Sequence, residues 1–437
     1  MSRGLIIAAP GSGSGKTTIT LGLLRALRED GLTVRGAKSG PDYIDPRFHE
    51  AACGAPCRNL DAWAMAPGRI RALAAGEGLL VIEGAMGLFD GAPPEGRGAT
   101  ADLARVLKLP VVLVVDAAHM AQSVAPLVAG FADHDPAVEV AGVILNKVGS
   151  PRHEAMLRRA LAPLGLPVLG AVHRRPGLAH PSRHLGLVQA EERPDLEAFI
   201  ARAAQIVRRA VDLDALRALA RPLPPAPPAP RLPPPAGRIA IASDAAFAFA
   251  YPHLLADWRA AGAELAFFSP LADEAPPPAE LVFLPGGYPE LHAARLAAAE
   301  RFRAGMARAA RGGAVYGECG GYMVLGEALT DAEGRRHRML GLLPLETSFA
   351  ERRLHLGYRR LEPLAGPFAG PLAGHEFHYA TTLRAEGPAL FSARDAEGRD
   401  LGPMGLALGA VSGSFAHVID RADGGFSSPR PGATHAQ

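Results

Sequence analysis

The residue group with the sharpest chemistry is Gly317-Glu318-Cys319-Gly320-Gly321, which follows the apolar run Ala314–Tyr316 and precedes helix-like sequence. This G-x-C-x-G is the thiol counterpart of the G-x-S-x-G nucleophile elbow. Small flanking residues permit a tight strand-to-helix turn, and a thiol at a helix N-terminus has a lowered pKa. A buried cysteine in a glycine-rich turn is the plainer alternative. A thiolate nucleophile also needs a base, and His355, His375, His378 and His417 are the candidates in this half of the chain. His417 comes just past the Gly/Ser turn of "GAVSGSFAHVID". His375 and His378 stand in "GHEFHY", which reads as a strand. Spaced i and i+3, they face opposite sides of it, which argues against a shared metal and for structural or substrate-facing roles.

A second group lies near the N-terminus. "LIIAAPGSGSGKTT" departs from the phosphate-loop pattern G-x-x-x-x-G-K-[ST] at its first glycine, where Pro10 stands. The cradling amides all come after that position. The backbone N–H groups of Gly11, Ser12, Gly13, Ser14, Gly15 and Lys16 are placed to hold phosphate oxygens at a helix start. Lys16 then neutralises the β- and γ-phosphates, and the Thr17 hydroxyl ligates Mg²⁺. An ordinary Gly/Ser turn is the bland reading, and the intact GKT between a strand and a helix weighs against it. Glu83 ends an apolar strand in "VIEGAMGLFDG", where a carboxylate can hold Mg²⁺ directly or through water. "KSGPDYIDP" offers Asp42 and Asp45 in a loop shaped by Gly40, Pro41 and Pro46. "VILNKV" ends with Asn146 and Lys147, but Gly149 stands where a guanine-reading N-K-x-D needs Asp, so adenine is the better expectation. His49, Cys53 and Cys57 are spaced by four without a C-x-x-C, which favours buried thiols over a metal site.

These groups need elements to hold them. Apolar runs at Leu5–Ala9, Leu32–Ala37, Leu79–Ile82, Val111–Val115 and Val140–Leu145 alternate with helical spacing over Thr17–Asp30, Ala101–Leu107 and His153–Leu161. That alternation implies a parallel sheet covered on both faces, with ligands at the carboxyl ends of its strands. In the second half, strands are expected at Ile239–Ala242, Leu265–Phe268, Leu281–Leu284 and Ala314–Tyr316. Between the halves, "RPLPPAPPAPRLPPPAG" holds nine prolines. Such a stretch forbids helix and sheet and favours an extended spacer. The expected organisation is therefore a domain over residues 1–220, a linker over 221–237 and a domain over 238–437.

Composition narrows the function classes. The chain has 437 residues, 48% of them hydrophobic, and a net charge of +2. The charge balance gives no reason to expect nucleic acid or an acidic membrane as partner. The longest apolar runs are too short to span a bilayer, and the N-terminus does not read as a signal peptide. Three cysteines suit a reducing cytoplasm.

Taken in order, "GSGSGKTT", "GPDYIDP", "RNLD", "EGAMGLFDG", "HLGLVQ", "LPGGYPE", "GECGGYM" and "GHEFHY" make the chain resemble the cobyrinic and hydrogenobyrinic acid a,c-diamide synthases of vitamin B12 biosynthesis. The likeness covers nearly the whole chain. "RNLDAWAM" and "AGVILNKVGSPRHEAMLRRAL" favour the hydrogenobyrinic acid branch. The resemblance implies an α/β fold: a dethiobiotin-synthetase-like P-loop domain followed by a flavodoxin-like class I glutamine amidotransferase domain. It implies Cys319 as nucleophile, His417 as its base, and an oxyanion hole around Gly287 and Gly320. It assigns Thr17, Asp42 and Glu83 to Mg²⁺, and Asp45 and Asp90 to activation of the substrate carboxylate. Carboxylates facing an acidic substrate need a compensating charge, for which Arg47 and His49 are the expected source. The implied co-substrates are ATP, L-glutamine and hydrogenobyrinic or cobyrinic acid, and a homodimer is allowed. One departure stands out. Many class I amidotransferases carry Glu two residues after the histidine, whereas Ile419 is there in this chain, so what orients His417 is open.

Other readings are a cobyric acid synthase-like enzyme, a nickel-tetrapyrrole amidase and a partition-type ATPase. The last carries a signature lysine five residues before Lys16, where this chain has Gly11, and leaves Cys319 without purpose.

Overall fold

The computed structural model describes residues 2–175, 182–183, 186–187, 190 and 193–422. Four positions of the "HLGLVQ" motif (184, 185, 188 and 189) and the last fifteen residues assigned to the second domain lie outside them.

The first half is built on a parallel sheet. Its strands are β1 (Arg3–Ala8), β2 (Val34–Ser39), β3 (Arg58–Leu60), β4 (Leu79–Glu83), β5 (Val111–Asp116), β6 (Val140–Val148) and β7 (Val168–His173), in the order β3-β2-β4-β1-β5-β6-β7. Both faces are covered, and the register of β1 shows why its sequence is a continuous apolar run. Ile6 and Ala8 enter one core cluster, Leu5 and Ile7 the other. A strand whose alternate side chains both meet helices has no solvent face to make polar. Because β1 lies at the centre, its carboxyl end and the glycine loop after it come between the ends of β4 and β5. Helix α1 (Lys16–Glu29) starts there, with Gly15 before it in the left-handed conformation at φ 86°.

The second half has a sheet with strand order Glu264–Phe268, Arg238–Ala242, Leu281–Leu284, Ala314–Glu318, Val411–Ser414 and Leu406–Leu408. The first five strands are parallel and the last is antiparallel. Beside it stands an antiparallel sheet in which His355–Pro363, Leu372–His378 and Ala416–Arg421 are neighbours. That second sheet was not anticipated from the sequence apart from the "GHEFHY" strand.

The proline-rich stretch packs against the first half. Arg221–Pro222 pairs antiparallel with the start of β1, residues 223–237 form neither helix nor strand, and Leu232 is buried in the core. One apolar cluster contains residues of both halves, including Ile6 and Leu80 with Trp258 and Phe391. Buried polar contacts also cross the seam. Arg69 is bonded to Asp257 and, at 2.8 Å, to Asp420. Tyr358 stacks on Trp63 at 4.3 Å and donates to Asp61 at 3.0 Å. Among the described residues no helix is long and apolar enough to cross a membrane.

Candidate active site

The phosphate loop brings its expected residues together. Gly11, Ser12, Gly13, Ser14 and Gly15 connect β1 to α1, and the Ser14 hydroxyl donates to the Gly11 carbonyl at 2.9 Å. Lys16 donates to the carbonyls of Met86, at 2.6 Å, and Gly11, at 3.4 Å. Burial, and then the neighbouring Lys38, push its pKa down. Asn146 lies against the loop and donates to the Ser14 carbonyl at 2.8 Å, so it braces the loop backbone. Lys147 reaches the Gly13 carbonyl at 2.9 Å and pairs with Asp116 at 2.6 Å.

At the carboxyl ends of β2 and β4 a compact ionic cluster forms. The Thr17 hydroxyl donates to Glu83 at 2.6 Å and reaches Asp45 at 3.5 Å. Buried Lys38 lies 2.5 Å from Asp45 and 2.9 Å from Glu83. The second oxygen of Glu83 meets His49 Nε2 at 2.6 Å. Burial opposes the charge on Glu83, but Lys38, and then His49, hold its carboxyl well below the usual range. Lys38 was missed by the sequence reading, although the signal was available. It is the penultimate residue of β2, in register with Glu83 at the end of β4. It also takes the compensating role expected of Arg47, which instead pairs with Glu50 at 2.9 Å.

The two loop aspartates have different surroundings. Asp42, expected on the metal, accepts the N–H groups of Ile44 and Asp45 at 2.8 and 3.1 Å. Its Oδ1 is thus turned to the backbone that starts helix α2 (Asp45–Cys53). Its other oxygen lies 3.8 Å from Lys38, and burial pushes its pKa up to about 6. Asp45 is the one that reaches Thr17, and its Oδ1 is buried with no hydrogen-bond partner. A hydroxyl and two carboxylates, one with an orphaned oxygen, form the hard-oxygen donor set that Mg²⁺ takes. Asp90 accepts the Gly87 N–H at 2.9 Å and faces a cavity. Asn59, from "RNLD", clamps the aspartate loop by donating to the carbonyls of Gly40 and Asp42 at 2.9 and 2.7 Å.

In the other half, Cys319 occupies the turn between strand Ala314–Glu318 and helix Gly320–Leu325, at φ 46°, ψ −105°. A β-carbon in this left-handed region is strained, as at nucleophile elbows. Its thiol faces the Phe377 carbonyl at 3.9 Å, and burial raises its pKa, the reverse of the lowering expected from the helix start, because the sulfur is shut away from water. The backbones of Gly287 and Gly320 meet beside it: a β-carbon on Gly320 would stand 3.0 Å from the Gly287 nitrogen. His417 is fully buried, and both ring nitrogens lack a hydrogen-bond partner. Burial lowers its pKa to about 3, so the ring is held neutral. The ring fits because residue 286 is glycine, whose β-carbon would lie 2.1 Å from His417 Cε1.

His375 and His378 both line the cavity. His378 also belongs, with His355 and Glu376, to a trio whose donor atoms lie within 4.8 Å of one another. The rings of His355 and His378 stack at 4.6 Å and 7°, so their in-plane lone pairs run parallel rather than converge. Arg359 already neutralises Glu376 at 2.7 Å. The trio reads as a charge network rather than a metal site. Cys53 and Cys57 are buried free thiols, and Cys57 packs against His49 Nδ1 at 3.5 Å.

A cavity of about 820 Å³ lies between the two halves and reaches Cys319 on one side and the aspartate loop on the other. Asp42, Tyr43 and Asp90 line it from the first half, and Cys319, His375 and His378 from the second.

Residues 5–188 match the model of the CobQ/CobB/MinD/ParA nucleotide binding domain, and residues 238–424 that of the CobB/CobQ-like glutamine amidotransferase domain. The chain is 60% identical to the hydrogenobyrinate a,c-diamide synthases of Brucella suis biovar 1 and Brucella abortus biovar 1, over 96% of this chain and 98% of each relative. It is 56% identical to the hydrogenobyrinate a,c-diamide synthase of Rhodobacter capsulatus, over 95% of this chain and 98% of the relative.

Proposed function

The chain belongs to the family of hydrogenobyrinate a,c-diamide synthases, and from that membership we propose that it amidates the a and c side-chain carboxylates of hydrogenobyrinic acid with ATP and glutamine. It is a glutamine-dependent carbon–nitrogen ligase of cobalamin biosynthesis. The observation that carries the reading is the shared cavity, with a strained cysteine on one wall and the acid-bearing loops beside the phosphate loop on another. Residues 1–220 supply the nucleotide half, 238–437 the amidotransferase half, and 221–237 the connection.

Cys319 is the nucleophile. Its sulfur bonds to the side-chain amide carbon of glutamine while His417 takes the thiol proton and passes it to the leaving nitrogen. Ammonia departs, and water hydrolyses the thioester to glutamate. The amides near Gly287 and Gly320 stabilise the oxyanion. In the other half, the γ-phosphoryl group of ATP passes to a corrinoid carboxylate and turns a poor electrophile into an acyl phosphate. Lys16 disperses charge on the transferring group. Thr17, Asp45 and Glu83 are the residues suited to hold Mg²⁺, which supplies further neutralisation of phosphate charge when bound. Ammonia attacks the acyl carbon, phosphate leaves, and repetition at the second carboxylate completes the diamide. Lys38 holds Asp45 and Glu83 in place, and Asp42 and Asp90 face the substrate from the cavity wall.

Mass spectrometry after incubation with ATP, glutamine and either metal-free or cobalt corrinoid tests the reading. A gain of two amides on the metal-free acid supports it. Amidation confined to the cobalt form moves the substrate to cobyrinic acid, and no amidation of either overturns the reading.

A further inference from the structure

His417 needs a partner for its second nitrogen if it is to act as a base, and the residue two positions later is Ile419, an apolar side chain. The structure offers a carboxylate from elsewhere. Glu318, immediately before the nucleophile, points from the parallel sheet toward Ala416–Arg421 of the antiparallel sheet. Its Oε1 accepts the Val418 N–H at 3.0 Å and the Tyr316 hydroxyl at 3.1 Å. Those two bonds fix the carboxylate, and its Oε2 lies 3.7 Å from His417 Nδ1. Neither ring nitrogen makes a hydrogen bond of ordinary geometry, the Phe249 backbone is the other polar group that approaches the ring, and Glu318 is itself buried.

We infer that Glu318 is the positioning residue of the glutamine-hydrolysing site: its carboxylate accepts the Nδ1–H of His417, fixes the tautomer that leaves Nε2 free to take a proton, and stabilises the imidazolium that results. The inference rests on the proposed glutaminase reaction. It replaces a carboxylate following the histidine with one preceding the cysteine, so strand Ala314–Glu318 and its turn carry both the nucleophile and the group that orients the base. A chain built this way tolerates an apolar residue at position 419, which is free to be fully buried, as Ile419 is.

The surroundings make the role sensitive to pH. Burial pushes the Glu318 carboxyl up to about 8, against the Val418 N–H and the Tyr316 hydroxyl, which lower it. The other ionisable groups facing it are Cys319, His417, Tyr43 and Tyr251. Burial raises the thiol and the three phenols, Tyr316 included, so they stay neutral, while His417 stays unprotonated. Glu318 therefore accepts the Nδ1–H above its pKa and loses that ability as pH falls through about 8.

Glu318→Gln keeps the shape and removes the charge. We expect kcat for glutamine hydrolysis to fall about 100-fold with KM little changed, while amidation from ammonium persists. We also expect the rise of kcat through pH 8 to vanish in Glu318→Gln and to be partly restored in Glu318→Asp. Wild-type kcat and pH profile in Glu318→Gln overturn the inference. A parallel loss of ammonium-dependent amidation also overturns it, because the carboxylate is then a support of the fold. Failure of the wild-type protein to hydrolyse glutamine at all rejects the glutaminase reading itself and is a separate outcome.

Discussion

The ring of Tyr43 lies 4.3 Å from the imidazole of His417, centroid to centroid, at an interplanar angle of 32°. Tyr43 stands between Asp42 and Asp45 in the loop that faces the phosphate site, yet its ring packs among Phe249, Tyr251 and His417 of the other half. A shift of the aspartate loop on binding nucleotide would move a ring that rests on His417. We expect ATP with the corrinoid acid to raise glutamine hydrolysis in the wild-type protein. Tyr43→Ala is expected to abolish that dependence and Tyr43→Phe to keep it. The check is a glutaminase assay with and without ATP and corrinoid; equal stimulation in Tyr43→Ala contradicts the coupling.

Cys319→Ser is expected to abolish glutamine-dependent amidation and leave amidation from high ammonium. A hydroxyl in the same elbow lacks the nucleophilicity of a thiolate, and the second reaction uses other residues. Measuring glutamate release and diamide formation side by side checks this, and near-wild-type glutamate release refutes it.

Lys16→Ala, Lys38→Ala and Glu83→Gln are expected to stop amidation from either nitrogen source, each by about 100-fold or more. The last two break an ion cluster in which Lys38 lies between Asp45 and Glu83. Removing Lys38 leaves two buried carboxylates without their common cation, so ATP turnover falls even though the phosphate loop is intact. Ammonium-supported rates near wild type in any of the three contradict the assignment of that residue.

Arg69→Met tests how the halves are joined. The guanidinium is buried and bonds Asp257 and Asp420, so its removal leaves both carboxylates short of a partner, with Arg231 still 3.5 Å from Asp257. Breaking a buried ionic group from one side costs about 3–5 kcal/mol. Denaturant unfolding should show that loss, and a change below about 1 kcal/mol marks the contact as dispensable.

Much of this was legible because strands buried on both faces write themselves as apolar runs. Leu281–Leu284 matches its strand, and β4 extends the expected Leu79–Ile82 by the one residue, Glu83, that carries chemistry. The antiparallel sheet was not legible. His355–Pro363 reads "HLGYRRLEP", with most positions neither clearly exposed nor clearly buried, because the strand borders a cavity on one side. Cys319 and the phosphate loop announced themselves through glycine spacing. Tyr43 and Glu318 gave no such signal: each meets His417 from a segment distant in sequence, and neither has a sequence neighbour that reveals the contact. Lys38 differs, since its place at a strand end beside an acid-bearing loop was readable. The exchange of roles between Asp42 and Asp45 depends on which oxygen the helix start claims, a detail that spacing does not carry.

Ammonia formed at Cys319 is expected to reach the activated carboxylate through the cavity that Cys319, Asp42 and Asp90 line. The direct measurement supplies glutamine labelled with ¹⁵N in its side-chain amide, together with excess unlabelled ammonium, and reads the isotope content of the diamide by mass spectrometry. Transfer within the cavity predicts ¹⁵N at both new amides with little dilution. Diamide carrying the isotope ratio of the bulk ammonium contradicts the claim and separates the two reactions in space.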